Sequence, residues 1–224
     1  QDINDSQGLI NIAPSSVLRN FVSHYWLSLN NTDSSHSALP DGAVDLVIRP
    51  SNISSQSLIY GTVTTKTEIA LEHGSHYLGI RFKPGQSRHF MKTAALELTD
   101  GCEDADRLMS CCFKNITENI INQNVFTQLD EILIEHLNKQ SPAHTRIDDV
   151  IKFIELNRGT AHLGEAASVF GKSRRQLQRV FLETVGVSAK SFSSITRFHH
   201  AAALLSQAFS SLADIAIEAG YSDQ

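Results

Sequence analysis

Arginine and glutamine side chains lie on one side of a short stretch between residues 172 and 181. Arg175, Gln178 and Arg179 are three and four residues apart, so a helix would place them on one face. An arginine can donate two parallel hydrogen bonds to a guanine edge, and a glutamine can pair with adenine in the same way. These three residues are therefore candidates for reading base pairs in the major groove of DNA.

Residues able to bind phosphate surround this face. Six basic residues and one acidic residue lie between Lys172 and Arg197, which gives this segment a local net charge of 6 − 1 = +5. Clustered cations of this kind are the electrostatic footprint of nucleic-acid binding. The candidate phosphate contacts are Lys172, Ser173, Arg174 and Lys190.

Two short helices joined by a tight turn would position these side chains. Apolar residues at helical spacing between 163 and 170 predict the first helix. Gly171 can adopt the left-handed conformation that ends a helix. Ser173, with Gln176 three residues later, predicts a capping box that opens the second helix. This arrangement is typical of a helix-turn-helix, and the alternative is a basic, solvated helix in an ordinary bundle.

The first half of the motif occurs twice, at an offset of 49 residues. The positions of Leu163, Ala167, Gly171 and Ser173 correspond to Leu212, Ala216, Gly220 and Ser222. Repetition at one offset favours the helix-turn-helix interpretation over the bundle. The second reading helix would begin near Asp223 and is incomplete in these 224 residues, so we expect the full protein to continue beyond Gln224.

Several motifs in register resemble the AraC/XylS family of bacterial transcription regulators. They are Ser173-x3-Leu177-x2-Val180-Phe181, Val185-Gly186-Val187-Ser188, Arg197-x3-Ala201-x2-Leu204-Leu205 and Leu212-x2-Ile215-Ala216-x3-Gly220-Tyr221-Ser222-Asp223. The resemblance covers roughly residues 145–224. It implies two helix-turn-helix units joined by a long helix, with Arg175, Gln178 and Arg179 at base-contacting positions. For Arg197 the resemblance leaves two roles open, a structural ion pair or a contact with a DNA phosphate.

The sequence predicts a separate domain at residues 1–140, and this domain begins with β-strands rather than helices. Alternating apolar residues predict strands around residues 24–29, 44–48 and 78–82, separated by proline- and glycine-containing turns. Residues after about 85 read as helical. We therefore predict an α+β chain, with an antiparallel β barrel or sandwich and flanking helices at 1–140 and an all-α domain at 145–224. Ser141-Pro142-Ala143-His144 is the predicted linker.

Two stretches in the first half resemble the sensor domain found ahead of such DNA-binding modules. They are Leu39-Pro40-Asp41-Gly42-Ala43-Val44-Asp45-Leu46 and Leu78-Gly79-Ile80-Arg81-Phe82-Lys83-Pro84-Gly85. The resemblance implies a cupin-like barrel that binds a small-molecule effector or mediates dimerisation. Asp45, Trp26 and Arg81 are the candidate effector-pocket residues. For Arg81 by itself, alternation favours a solvent-facing side chain over an anion ligand inside the barrel.

Metal and redox chemistry find little support in the sequence. His73 and His76 would lie on opposite faces of a regular strand, which does not suit a shared metal. Cys102, Cys111 and Cys112 cannot pair evenly, and the composition is typical of a reducing cytoplasm. No run of 18 apolar residues is present, so no membrane partner is expected. The sequence contains no recognised catalytic motif and predicts no catalytic residue, metal or cofactor.

These observations predict a cytoplasmic, sequence-specific DNA-binding transcription regulator that is not an enzyme. Its expected partners are double-stranded DNA, a small-molecule effector and a second copy of the chain, with RNA polymerase as a further candidate. The alternative is a cupin-like barrel that binds a small molecule or uses a metal and carries a helical protein-interaction tail.

Overall fold

The computed structural model describes residues 9–50, 55–111, 113, 116, 124–206 and 211–221. The strands in this part of the chain are β1 (Leu9–Ile12), β2 (Val22–Ser28), β3 (Ser35–Ala38), β4 (Val44–Arg49), β5 (Gln56–Tyr60), β6 (Thr67–Ala70), β7 (Tyr77–Phe82) and β8 (Cys102–Asp104). The α-helices are α1 (Ala105–Leu108), α2 (Asn124–Gln140), α3 (Arg146–Leu156), α4 (Leu163–Phe170), α5 (Arg174–Val185), α6 (Ala189–Leu205) and α7 (Leu212–Glu218). The α+β class predicted from the sequence is confirmed.

The β part consists of two antiparallel sheets. Six strands pair in the order β1-β2-β7-β4-β5-β8, and β3 pairs with β6 in a separate ribbon. The register sets Tyr25 opposite Ile80 and Ile80 opposite Leu46, and all three side chains are fully buried. The alternation read from the sequence therefore identified the core face of the central strands.

Helix α2 covers this core. Its buried stripe consists of Val125, Leu129, Leu133 and Leu137, which belong to the same apolar cluster as the β-strand residues. Asp130 on the same helix accepts a 2.6 Å hydrogen bond from the Tyr25 hydroxyl. The apolar stripe of α2 is therefore buried against the sheet of the same chain.

Three expectations for the first part of the chain were wrong in detail. Strand β8 lies beyond residue 85, where only helix was expected, and it pairs with β5. The residues that follow α1 were also expected to be helical, but the described residues from Met109 to Cys111 are not. His73 and His76 lie in the loop before β7 rather than on a strand, so the strand argument does not apply to them.

The C-terminal part, described at residues 145–206 and 211–221, is helical and has its own core. Helices α3, α4, α5 and α6 meet around a cluster that includes Ile154, Phe170, Phe181 and Phe192. Helix α3 begins with a capping box in which Thr145 and Asp148 satisfy each other's backbone N–H groups. Among the described residues, no helix is both long and apolar enough to cross a membrane.

Candidate nucleic-acid interface

Helices α4 and α5 form the two-helix unit expected from the sequence. Gly171 ends α4 with φ +69° and ψ 24°, and its N–H donates to the carbonyl of Ala167 at 3.0 Å. Ser173 then caps α5, and the capping box with Gln176 is present. The positive φ favours glycine here, and the end of the flexible Arg146 side chain lies against its Cα.

Helix α5 is divided into a buried and an exposed face. Leu177 and Phe181 are buried in the core of the C-terminal part. The three candidate base-reading residues, Arg175, Gln178 and Arg179, are all exposed on the other side. Because the apolar face fixes the rotation of the helix, the polar face must point outward.

The candidate phosphate contacts are exposed as well. Lys172 and Ser173 lie in the turn, Arg174 opens α5, and Lys190 lies in the first turn of α6. The guanidinium of Arg174 extends over Gly164 of α4. The structure thus presents basic side chains from the turn and from two helices.

One base-reading candidate, Arg179, forms an ion pair within its own helix. Its guanidinium lies 3.4 Å from the carboxylate of Glu183, one helical turn further along, and the arginine side chain is 68% exposed. An ion pair this exposed contributes little stability. Arg179 can therefore leave Glu183 for another acceptor at small cost.

The second repeat has the same local design as the first. Helix α7 is capped by Ser211, and Gly220 follows it with φ +75°, close to the value at Gly171. Ile215 and Ala219 pack on Leu204 of α6. Ser222 and Asp223, where the second reading helix was expected to begin, lie outside the described residues.

Arg197 has a structural role in this arrangement. Its guanidinium lies 4.6 Å from the centre of the Tyr221 ring, and its Nη1 donates to the carbonyl of Gly220 at 3.4 Å. This cation–π contact holds the turn after α7 against α6. Within the part of the chain that the structure describes, these are the contacts of the Arg197 guanidinium, and the ion pair left open by the resemblance is not seen there.

Asp45, Trp26 and Arg81 come together on the face of the six-stranded sheet opposite the core. Arg81 forms ion pairs with Asp41 and, at 2.9 Å, with Asp45, and its side chain is 30% exposed, so it is paired within the chain and only partly faces solvent. Burial raises the pKa of Asp45 to about 7, and a hydrogen bond from Trp26 opposes this rise. The indole of Trp26 lies across Gly79, where a Cβ would overlap it.

An open polar depression lies elsewhere, along β3. Its volume is about 460 Å³. It is lined by Asp33, Ser34, Ser35, His36, Ser37 and Glu68. Among the described residues, no group of three or more histidine, cysteine, aspartate or glutamate side chains is placed to hold a metal ion.

Some supporting residues were not identified from the sequence. His162 and Glu165 form a capping box at the start of α4, and Arg146 donates to the carbonyl of Phe170 at its end, at 3.4 Å. The capping box could have been recognised from the three-residue spacing of His162 and Glu165, although histidine is an uncommon cap. The hydrogen bond from Arg146 to Phe170 joins residues 24 positions apart, and no local pattern in the sequence predicts it.

Two short helices crossing at a glycine turn, with an exposed basic face on the second, define a helix-turn-helix DNA-binding unit. Comparison with known families agrees: residues 166–224 match the model of a helix-turn-helix domain, and residues 10–104 match a domain of unknown function (DUF6597). Residues 166–224 are therefore a helix-turn-helix domain, which agrees with the AraC-type resemblance of the sequence and indicates a DNA-binding transcription regulator.

No curated protein sequence matches this chain. Among solved structures, a substituted apo form of ToxT from Vibrio cholerae is 10% identical, with 89% of each chain covered and a TM-score of 0.43. A second structure of ToxT from Vibrio cholerae is 8% identical, covers 89% of this chain and 88% of that chain, and has a TM-score of 0.42. These values describe a distant likeness, and the assignment above rests on the helix-turn-helix domain.

Proposed function

We propose that this chain is a sequence-specific DNA-binding transcription regulator in which α5 reads base pairs in the major groove. In this proposal Arg175, Gln178 and Arg179 contact base edges. The phosphate contacts come from Lys172, Ser173, Arg174 and Lys190. The observation that carries the proposal is the exposed arginine and glutamine face of α5, held outward by the buried Leu177 and Phe181.

Selection of duplexes from a random-sequence library with the purified protein tests this proposal. The expected result is enrichment of a common sequence, because bidentate contacts discriminate between base pairs. Selection with a Gln178→Ala variant is expected to relax the preference at one position. If no sequence is enriched over the starting library, the proposal fails.

The division of the chain is also part of the proposal, with one domain at residues 1–140 and the DNA-binding domain at 145–224. The first domain serves as a sensor for a small-molecule effector or as a dimerisation domain. The side chains of Asp45, Trp26 and Arg81 support the first role, since they form a polar cluster on the sheet face opposite the core. A second copy of the chain and RNA polymerase are the proposed protein partners.

Native mass spectrometry of the purified protein separates the two roles of the first domain. A sensor is expected to retain or accept a small molecule, with a mass increase that an Arg81→Ala variant loses. A dimerisation domain is expected to give a dimer at low micromolar concentration. A monomer without any adduct would contradict both.

A further inference from the structure

The candidate reading helix ends against the first part of the chain. Helix α5 terminates at Val185, and Gly186 follows in the left-handed conformation with φ +89°. Both residues are buried. The last carbonyl groups of a helix have no partner within it, so buried ones need a donor from elsewhere.

Two threonine hydroxyls from the N-terminal part, residues 9–140, supply these donors. Thr62 donates from Oγ1 to the carbonyl of Val185 at 2.7 Å, and Thr99 donates to the carbonyl of Gly186 at 2.7 Å. Thr62 is completely buried, and the carbonyl of Ala43 lies 3.3 Å from the same hydroxyl. Because a hydroxyl has one proton, the shorter contact to Val185 takes it.

The packing around these hydrogen bonds is tight. A Cβ on Gly186 would lie 3.1 Å from the Thr99 hydroxyl and 3.3 Å from both the Ala95 carbonyl and the Thr62 hydroxyl. Residues Ala95–Leu98 form a short 3₁₀ helix that packs beside α5. The end of α5 therefore has little room to shift sideways.

Helix α6 is held by the same part of the chain. His199 donates from Nε2 to the carbonyl of Pro40 at 2.6 Å. Gly42 adopts φ +74° and lies directly against the ring of Phe192, where a Cβ would not fit. The N-terminal part therefore contacts both α5 and α6, which restricts rotation of α5 about the contacts at its own end.

The other half of α5 carries the candidate base-reading residues. Arg175, Gln178 and Arg179 lie within the first half of a helix that is roughly 18 Å long at 1.5 Å per residue. A helix this short behaves as a rigid rod. Fixing its C-terminal end therefore fixes the direction in which its N-terminal half enters a groove.

We propose that Thr62, together with Thr99, is a positioning residue for DNA reading. The two hydroxyls cap α5 from the N-terminal part, so the orientation of the reading helix is set by that part rather than by the helical domain alone. This inference rests on the proposed function, since it assumes that α5 reads DNA. The base-reading residues are exposed while these contacts are made, so the contacts do not cover the face proposed to meet DNA.

The test compares Thr62→Val with the unaltered protein on a selected duplex and on a scrambled duplex of the same length. Valine has the shape of threonine but cannot cap the Val185 carbonyl. Affinity for the selected duplex is expected to fall about tenfold, the order of one lost base contact, with affinity for the scrambled duplex unchanged. Thr62→Ser, which retains the hydroxyl, is expected to restore most of the loss.

Thr67→Val is the matched control, because its hydroxyl also donates to a carbonyl, that of Thr65, but within the N-terminal part. It is expected to bind both duplexes like the unaltered protein. Circular dichroism checks that each variant is folded, and if Thr62→Val is not, the half-buried Thr99→Val takes its place.

Three results would overturn the inference: unchanged affinity of Thr62→Val for the selected duplex, equal losses on both duplexes, or tighter binding. Equal losses in a folded variant would indicate an effect on phosphate contacts rather than on base reading, and tighter binding would indicate an inhibitory contact. If the unaltered protein bound no duplex at all, the proposed function itself would fail.

Discussion

Arg179 projects from the exposed side of α5, and its 3.4 Å contact with Glu183 is weak enough to be exchanged for a base edge. Arg179→Ala is therefore expected to cost about 1–3 kcal/mol in binding to a selected duplex. The loss should be concentrated at one base pair. Fluorescence anisotropy with the selected duplex and its single-base variants measures both effects.

Arg107→Ala is the control for this change. It removes the same charge from an exposed position on α1, away from the helix-turn-helix. It is expected to leave the discrimination between duplexes intact. Equal losses for Arg179→Ala on selected and random duplexes would mean that Arg179 contacts phosphate rather than a base.

At the level of elements, the start of α5 depends on Ser173. Its hydroxyl accepts from the backbone N–H of Gln176, and the Gln176 side chain accepts from the backbone N–H of Ser173. Ser173→Ala is expected to lower the free energy of unfolding by about 1 kcal/mol. Urea denaturation measures this, and Ser168→Ala on α4, whose exposed hydroxyl donates to its own helix, should change it much less. A similar loss from both substitutions would contradict the capping role.

Helix α3 is joined to the N-terminal part through Asp148. Its carboxylate accepts hydrogen bonds from Arg88, Gln86 and the backbone of Thr145, each at 2.8 Å. Burial by itself would raise the pKa of Asp148, but these hydrogen bonds outweigh it and hold the pKa below its usual value of 3.8. The unfolded chain therefore binds this proton more readily than the folded protein does.

The pH dependence of stability follows from that difference. The contribution of Asp148 is fully present above its unfolded pKa near 3.8 and is lost as the pH falls through the lower folded value. Asp148→Asn should reduce the free energy of unfolding by about 1–3 kcal/mol at pH 7 and flatten its decline between pH 5 and 3. Asp149→Asn, at an exposed neighbour, is the control. An unaltered decline in Asp148→Asn would contradict this account.

At the scale of the whole molecule, charge is distributed unevenly. Residues 1–140 carry 10 basic and 16 acidic side chains, a balance of −6, and residues 141–224 carry 9 and 8, a balance of +1. The acidic half would be repelled by DNA, which orients the basic half toward it. The overall charge of −5 therefore does not argue against DNA binding.

The salt dependence of binding reports how many cations meet phosphates. Three contacts, from Lys172, Arg174 and Lys190, predict a slope of about −2.7 for log affinity against log salt, and a fourth cation would give about −3.6. Lys190→Ala is expected to make the slope less steep by about 0.9. Lys92→Ala, exposed in the N-terminal part, should leave it unchanged. An unaltered slope for Lys190→Ala would show that Lys190 does not contact a phosphate.

Local patterns in the sequence predicted the helix-turn-helix well. Gly171, Ser173 and Gln176 act within a few residues of one another, so their roles could be read directly. The partners of Arg81 and Thr62 are distant: Asp45 is 36 residues from Arg81, and Val185 is 123 residues from Thr62. Such pairings depend on how the elements pack, and no spacing in the sequence signals them.

Strand β8 was missed for a different reason. Cys102, Glu103 and Asp104 are all exposed at the edge of the sheet, so they show none of the apolar alternation that identifies a strand. This strand is recognised only from its backbone pairing with β5. The central strands, in contrast, each bury one face and could be recognised from their residues.

The most direct test of the central claim is the ratio of affinities for a selected and a scrambled duplex. The unaltered protein is expected to prefer the selected duplex by at least about 10³-fold. A variant with Arg175, Gln178 and Arg179 all replaced by alanine should lose most of that preference, while still binding both duplexes weakly through its phosphate contacts. An undiminished preference in a folded triple variant would contradict base reading by this face of α5.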